Sequence, residues 1–280
     1  MNGIPRITDT DALRRRRQRA ARDPVLFLHE EAASEIEERL AEINKSFTAP
    51  LLIGHATAPM RALFPAAPVI HDDQRLNVPP SAHDLVLHSF ALHWADDPVG
   101  QMVQSRLALG PDGLFLAVLF GGATLNELRA SLAEAETRLS GGLSPRVLPM
   151  ADLRDLGGLI GRAGLALPVA DSVKLTVRYP SLRRLIHDLR GMGETNALHA
   201  RHRTPPSRRL FDLAEEIYRQ HFSDGDGFLT ATFEIVFLTG WAPSDNQQKP
   251  LKPGSAQQRL ADALGTDEQG TGDPAAPHTR

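Results

Sequence analysis

The sequence contains no cysteine. This absence excludes disulfide staples, thiolate zinc sites, cysteine-ligated iron–sulfur clusters and cysteine nucleophiles within the chain, and it is compatible with a reducing compartment. No apolar run approaches the roughly 18 residues of a membrane-crossing helix. The best, Gly113 to Phe120, has the length of a buried strand. Net charge is also scarce: 31 Lys and Arg against 34 Asp and Glu leave -3, so no global field gathers nucleic acid or anionic lipid. The basic stretch holding Arg14, Arg15, Arg16, Arg17, Arg19 and Arg22 has neither the apolar segment of a secretory signal behind it nor an aromatic platform for bases beside it. The expectation is a cytoplasmic chain with no membrane span and no nucleic-acid partner. The arginine cluster itself reads as a solvated face or as a dock for an acidic protein surface.

What is present supports one large core. The 280 residues are 41% hydrophobic and 23% charged. Ala33, Ile36, Leu40 and Ile43 lie at helical spacing in 31–43, ahead of a short apolar strand at 50–54 that stops on Gly54. A strand end at 68–70, a strand at 84–89, a helix at 98–109 and a strand at 114–120 follow. Thr124 and Glu127 have capping-box spacing before a helix carrying Leu128, Leu132, Ala135 and Leu139. Further on come a helix at about 152–163, an alternating strand at 173–179, helices at 182–189 and 210–218, and a last strand through Phe233, Ile235 and Phe237 to about Trp241. Strands alternating with helices predict an α/β, doubly wound sheet. The expected organisation is a basic N-terminal segment and helix over 1–47, a main domain over 48–242 with a helical insertion at about 181–221, and a disordered tail over 243–280.

Several segments add a resemblance. Asp84-Leu85-Val86 runs into Leu92-His93-Trp94-Ala95-Asp96, and Leu109-Gly110-Pro111-Asp112-Gly113 and Phe120 to Arg129 follow. Gly142 to Pro145, Asp155 to Gly164 and Leu189-Arg190-Gly191-Met192-Gly193-Glu194-Thr195-Asn196 extend the pattern. Together these are similar to the family of methyltransferase-fold complex I assembly factors, over most of 12–242. The malonyl-carrier-protein O-methyltransferases of biotin synthesis resemble the first half. The resemblance implies a class I S-adenosylmethionine-dependent methyltransferase-like (Rossmann-like) sheet and S-adenosyl-L-methionine as cofactor. It also implies a protein substrate or client, an NADH dehydrogenase subunit, and the arginine hydroxylation associated with mitochondrial members of that family.

The chain departs from the pattern at the cofactor loop. After the first strand, such folds carry an acid and a Gly-x-Gly-x-Gly turn that lets backbone approach the ligand. Here the segment is Leu52-Ile53-Gly54-His55-Ala56-Thr57-Ala58, with Leu52 at the acid position and alanine at the later glycines. The interval 71–83 is too short for a helix and a strand, which need roughly 16 residues, so one edge helix-strand unit is expected to be missing. The cofactor site is therefore expected to be weak or lost, with Gly54, Asp72, His93 and Trp94 as what remains of it. His71 and Asp73 have the spacing of two facial-triad iron ligands, but no distal histidine completes the set and no metal is expected. Gly121, Gly122, Glu127, Arg129, Gly191, Met192, Gly193, Glu194 and Asn196 are the candidate substrate or partner residues, with 191–196 expected as a lid or partner-binding loop. An active S-adenosylmethionine-dependent methyltransferase of a protein side chain or small acid, and a pure protein-interaction scaffold, are the alternative readings.

Overall fold

The computed structural model describes residues 5–247. Along them the chain runs α1 (Thr10–Ala20), α2 (Phe27–Glu42), β1 (Pro50–Gly54), α3 (Ala58–Leu63), β2 (Val69–Ile70), β3 (His83–Ser89), a 3-10 turn (Leu92–Trp94), α4 (Pro98–Ala108) and β4 (Leu109–Phe120). It continues through α5 (Asn126–Ser140), α6 (Leu153–Arg162), β5 (Ala166–Tyr179), α7 (Leu182–Met192), α8 (Arg208–Phe222) and β6 (Leu229–Trp241). The strands form one sheet in the order β2-β1-β3-β4-β6-β5. β2, β1, β3 and β4 are parallel, and β6 is antiparallel to both its neighbours. This is a Rossmann-like, class I methyltransferase-type sheet lacking one edge unit. β2 is the edge strand, and no helix or strand lies between Ile70 and His83.

Alternation along each strand supplies two core layers. Leu52, Leu87, Leu116, Val118 and Phe120 face α2, α5, α7 and α8. Leu51, Ile53, Val86, Phe115 and Ala117 face the other way, toward α4 and α6. The helices between β5 and β6 are strongly amphipathic and begin at serines, whose side chains accept from backbone N–H groups: Ser181 from Arg184 and Ser207 from Leu210. The described residues up to Ser244 form one compact unit, and Asp245 to Gln247 fall outside it. Most of the tail expected to be disordered thus lies outside the described residues.

One local expectation fails. Thr124 and Glu127 do not cap α5, which starts at Asn126 after Leu125 in a left-handed conformation (φ 55°). The Thr124 hydroxyl accepts from Glu234 N–H, and the Glu127 carboxylate accepts from the backbone and hydroxyl of Thr232. Pairing with β6 takes both groups away from the helix end. The basic N-terminal stretch forms a helix capped by the Asp9 carboxylate and docked on α7; Arg14, Arg15 and Arg19 stay exposed on its solvated face, while Arg17 turns inward.

Candidate functional site

Open α/β sheets bind ligands where the strand order reverses, here between the carboxyl ends of β1 and β3. Gly54 ends β1 at φ 96°; a Cβ there would lie 2.6 Å from the Ala91 Cβ and 2.7 Å from the Ser89 carbonyl oxygen. The glycine therefore serves close packing of β1 on the loop after β3. In that loop Phe90 holds a left-handed φ of 41°, a strained value for a side chain of its size. Its ring packs against His29 of α2 at 4.6 Å and Phe120 at 4.9 Å, and the His29 ring lies 5.4 Å from that of His55.

α1 closes this crevice from outside. The Arg17 guanidinium donates to the Phe90 carbonyl at 2.6 Å and to Glu194 Oε1 at 3.3 Å, and it stands 3.7 Å from Asp72. The other carboxylate oxygen of Glu194 accepts from Trp94 Nε1 at 2.6 Å and lies 3.1 Å from His93 Nε2. The side chains of Arg17 and Glu194 are only 11% and 5% exposed, so each charge depends on the other. Burial alone would raise the Glu194 pKa, but hydrogen bonding to His93 and the charges of His93 and Arg17 hold it well below the usual carboxylate range. Burial pushes His29 down to about 4, His55 to about 3 and His88 to about 4, so these rings are neutral near pH 7.

The end of α7 explains how Glu194 arrives there. Gly193 takes a left-handed φ of 79°, with Gly193 N–H donating to Arg190 and Glu194 N–H donating to Leu189. A Cβ on Gly193 would come within 2.9 Å of Arg17 Cγ. The turn thus lies directly beneath α1, and Glu194 points into the protein.

Beside this junction, toward α5, α7 and the segments at 144–150 and 194–206, lies a cavity of about 420 Å³. Phe120, Leu128, Met150, Met192, Phe211 and Phe233 supply apolar walls; Trp94, Glu194 and Arg16 supply polar groups, as do Arg146, paired with Glu136, and Arg201 and Arg203, paired with Asp9. Arg16 donates to the carbonyls of Thr195 and Asn196, and Asn196 donates to Pro145 O at 2.8 Å. The same segment therefore borders the filled crevice and the open cavity.

Of the residues expected from the sequence, Asp72, His93, Trp94, Met192, Gly193, Glu194 and Asn196 meet at this junction or line the cavity. Gly54 lies beneath it. The others have different tasks. A Cβ on Gly121 would meet Val236 and Glu234, one on Gly122 would meet the Ala151 carbonyl, and one on Gly191 would lie 2.5 Å from Val25. These glycines permit close packing. Glu127 holds β6, and Arg129 donates to the carbonyls of Thr124 and Leu148, so neither is presented to a ligand. Within the expected lid or partner-binding loop at 191–196, Met192 and Gly193 are buried, whereas Glu194, Thr195 and Asn196 are half-buried and line the cavity. Sequence reasoning missed Arg17, His29, His55 and Phe90. For Arg17 a signal existed: Leu13, Arg17 and Ala20 share a helical face, so this arginine sits on the apolar stripe.

No family model matches the chain. The arginine-hydroxylase NDUFAF5, mitochondrial, of Rattus norvegicus is 34% identical over 91% of this chain and 83% of its own length. A malonyl-[acyl-carrier protein] O-methyltransferase of Laribacter hongkongensis is 30% identical over 70% of this chain and 64% of its own. Among solved structures, the YcgJ protein from Bacillus subtilis matches 76% of this chain and 99% of its own at 14% identity and a TM-score of 0.46. Methyltransferases of this fold generally take S-adenosyl-L-methionine, and among the described residues no helix is long and apolar enough to cross a membrane. By its identity with relatives along nearly its whole length, the chain belongs to the arginine-hydroxylase NDUFAF5 family.

Proposed function

We propose that this protein acts on or chaperones a subunit of respiratory NADH dehydrogenase (complex I) during assembly, and that its S-adenosyl-L-methionine site is lost. One observation carries the reading: the crevice a cofactor would need is packed with the protein's own side chains, while the cavity next to it stays open. Leu52, within β1, stands at the usual acid position, Ala56 and Ala58 replace glycines, and Asp72, the acid left after β2, faces Arg17 rather than free space. These groups do not fit the cofactor.

The cavity fits a client side chain. Its apolar walls suit an aliphatic stem, and Glu194 beside Trp94 suits a cationic head. The relatives' name, arginine-hydroxylase, makes a protein arginine the head group of choice. Cytoplasmic residence is part of the same reading, with a cysteine-free chain compatible with that compartment. Deleting the gene tests it: NADH dehydrogenase should fail to assemble on native gels and lose activity, and normal assembly overturns the proposal. Loss of biotin synthesis in the same strain would instead place the protein with the malonyl-carrier-protein methyltransferases. Micromolar S-adenosyl-L-methionine binding with methyl turnover would make it an active methyltransferase.

A further inference from the structure

We infer that Arg17 is an internal stand-in for a client arginine: the Phe90 carbonyl, Glu194 and Asp72 form a guanidinium site, and α1 holds it occupied until a client competes. This inference rests on the functional reading above, because it names how that site is regulated.

Three acceptors from three separate parts of the chain converge on one guanidinium. The Phe90 carbonyl is 2.6 Å from it, Glu194 3.3 Å and Asp72 3.7 Å. Each acceptor is positioned from behind by other residues. Phe90 sits in a strained left-handed conformation, with its N–H bonded to Val118 O at 2.8 Å. Glu194 is fixed by Trp94 and His93. The Gln101 amide donates to the Asp72 carbonyl at 3.1 Å. A strained backbone whose carbonyl is aimed at a ligand-sized cation is the kind of feature that accompanies binding sites. Trp94 and Glu194 also line the cavity, so a guanidinium entering from outside would reach the carboxylate that Arg17 now holds.

The occupant is held as a strap would be. α1 buries only Ala12, Leu13 and Ala20. Its beginning is tied by polar contacts: the Asp96 carboxylate accepts from Ile7 and Thr8 N–H, and Asp9 pairs with Arg201 and Arg203. Farther along, Arg14 pairs with Asp73. Such contacts can exchange for those of a client more readily than a packed apolar face can. Removing an occupant present nine-tenths of the time raises a competitor's apparent affinity about tenfold.

The test is titration of the full chain with acetyl-Ala-Arg-Ala-amide and with its lysine and citrulline counterparts. Arg17→Ala should bind the arginine peptide about tenfold tighter than the parent protein does. The citrulline peptide should show no such gain. Asp96→Ala leaves Arg17 and the site intact but removes the two hydrogen bonds that Ile7 and Thr8 make to Asp96 ahead of α1, so it should gain affinity in the same direction and covers the case in which Arg17→Ala does not fold. Glu194→Gln should abolish the gain when combined with Asp96→Ala. Equal arginine-peptide affinity in the parent, Arg17→Ala and Asp96→Ala proteins, or equal gain for the citrulline peptide, overturns the inference. These arms need no respiratory readout. A strain that assembles NADH dehydrogenase normally after gene deletion refutes the client, whereas an unchanged peptide affinity refutes the strap.

Discussion

Along the carboxyl edge of the sheet, the side formed by β2, β1 and β3 is closed by the chain itself, whereas the side formed by β4, β6 and their neighbouring helices keeps a cavity of about 420 Å³. The closed side is polar at its centre: Arg17, Glu194, Asp72, His93, His29 and His55 are packed where a nucleotide-type ligand would otherwise sit. The open side is mainly apolar, with Ser144, Arg146, Arg201 and Arg203 among the polar groups on its lining besides those at the shared boundary. On the function proposed above, the fold gives up the ligand of its switch point and keeps the neighbouring site, its own charges filling the crevice as complementary pairs.

The comparison predicts unequal consequences for substitutions on the two sides. The largest is at the boundary. Glu194→Ala strands Arg17 without its closest carboxylate and should cost about 3–5 kcal/mol in urea unfolding. A cost below about 1 kcal/mol would mean that charge pairing does not hold the closed side. Next, titration with S-adenosyl-L-methionine should give a dissociation constant of about 1 mM or weaker, near -4 kcal/mol. Micromolar affinity would show that the crevice opens.

Acid should weaken the closed side before the open one. His29, His55 and His88 have folded pKa values lowered to between about 3 and 4, so below their unfolded value near 6.5 the unfolded chain binds more protons. Their contribution is present above about pH 6.5 and is lost as pH falls toward 4, at up to roughly 1.4 kcal/mol per pH unit for each ring. His29→Leu should flatten the stability slope over this range by about one proton. Because neither His29 ring nitrogen has a hydrogen-bond partner among the described residues, it should also stabilise by about 1–2 kcal/mol at neutral pH. An unchanged slope would show that His29 is solvated in the folded state. The smallest effect belongs to the open side. Leu132→Phe has cavity to grow into and should shift stability by less than about 1 kcal/mol, while Leu87→Phe in the packed sheet should cost about 1–3 kcal/mol. Equal costs, measured by chemical unfolding, would mean that the cavity collapses.

Much of the fold was legible because strand and helix periods are local. The runs at 50–54 and 84–89 are apolar for the same reason that β1 and β3 are central, and the interval 71–83 is too short to hold the missing unit. The site was legible only in part. Trp94, Met192 and Glu194 stood out by resemblance, but Gly121, Gly122 and Gly191 looked alike in sequence, and only their distant neighbours show that they serve packing. Glu127 failed as a cap because its partner, Thr232, is more than a hundred positions away. Arg17 was hidden among five similar arginines in 14–22, and what distinguishes it is the carboxylate at 194, which no local pattern connects to it.

The sheet's two borders carry a consequence for behaviour in concentrated solution. On one side the last strand, β2, is only two residues long and follows Pro68, which leaves almost no hydrogen-bonding ladder for another chain to join. On the other, β5 is 14 residues long and, among the described residues, paired only with β6, the kind of border that invites recruitment of foreign strands. Asp171, Lys174 and Arg178 interrupt it with charge of both signs, and its register slips between Ala166 and Val169 around a left-handed Leu167. A newcomer would have to bury those charges and match that irregularity. Charge and irregularity thus work against strand addition along this long border.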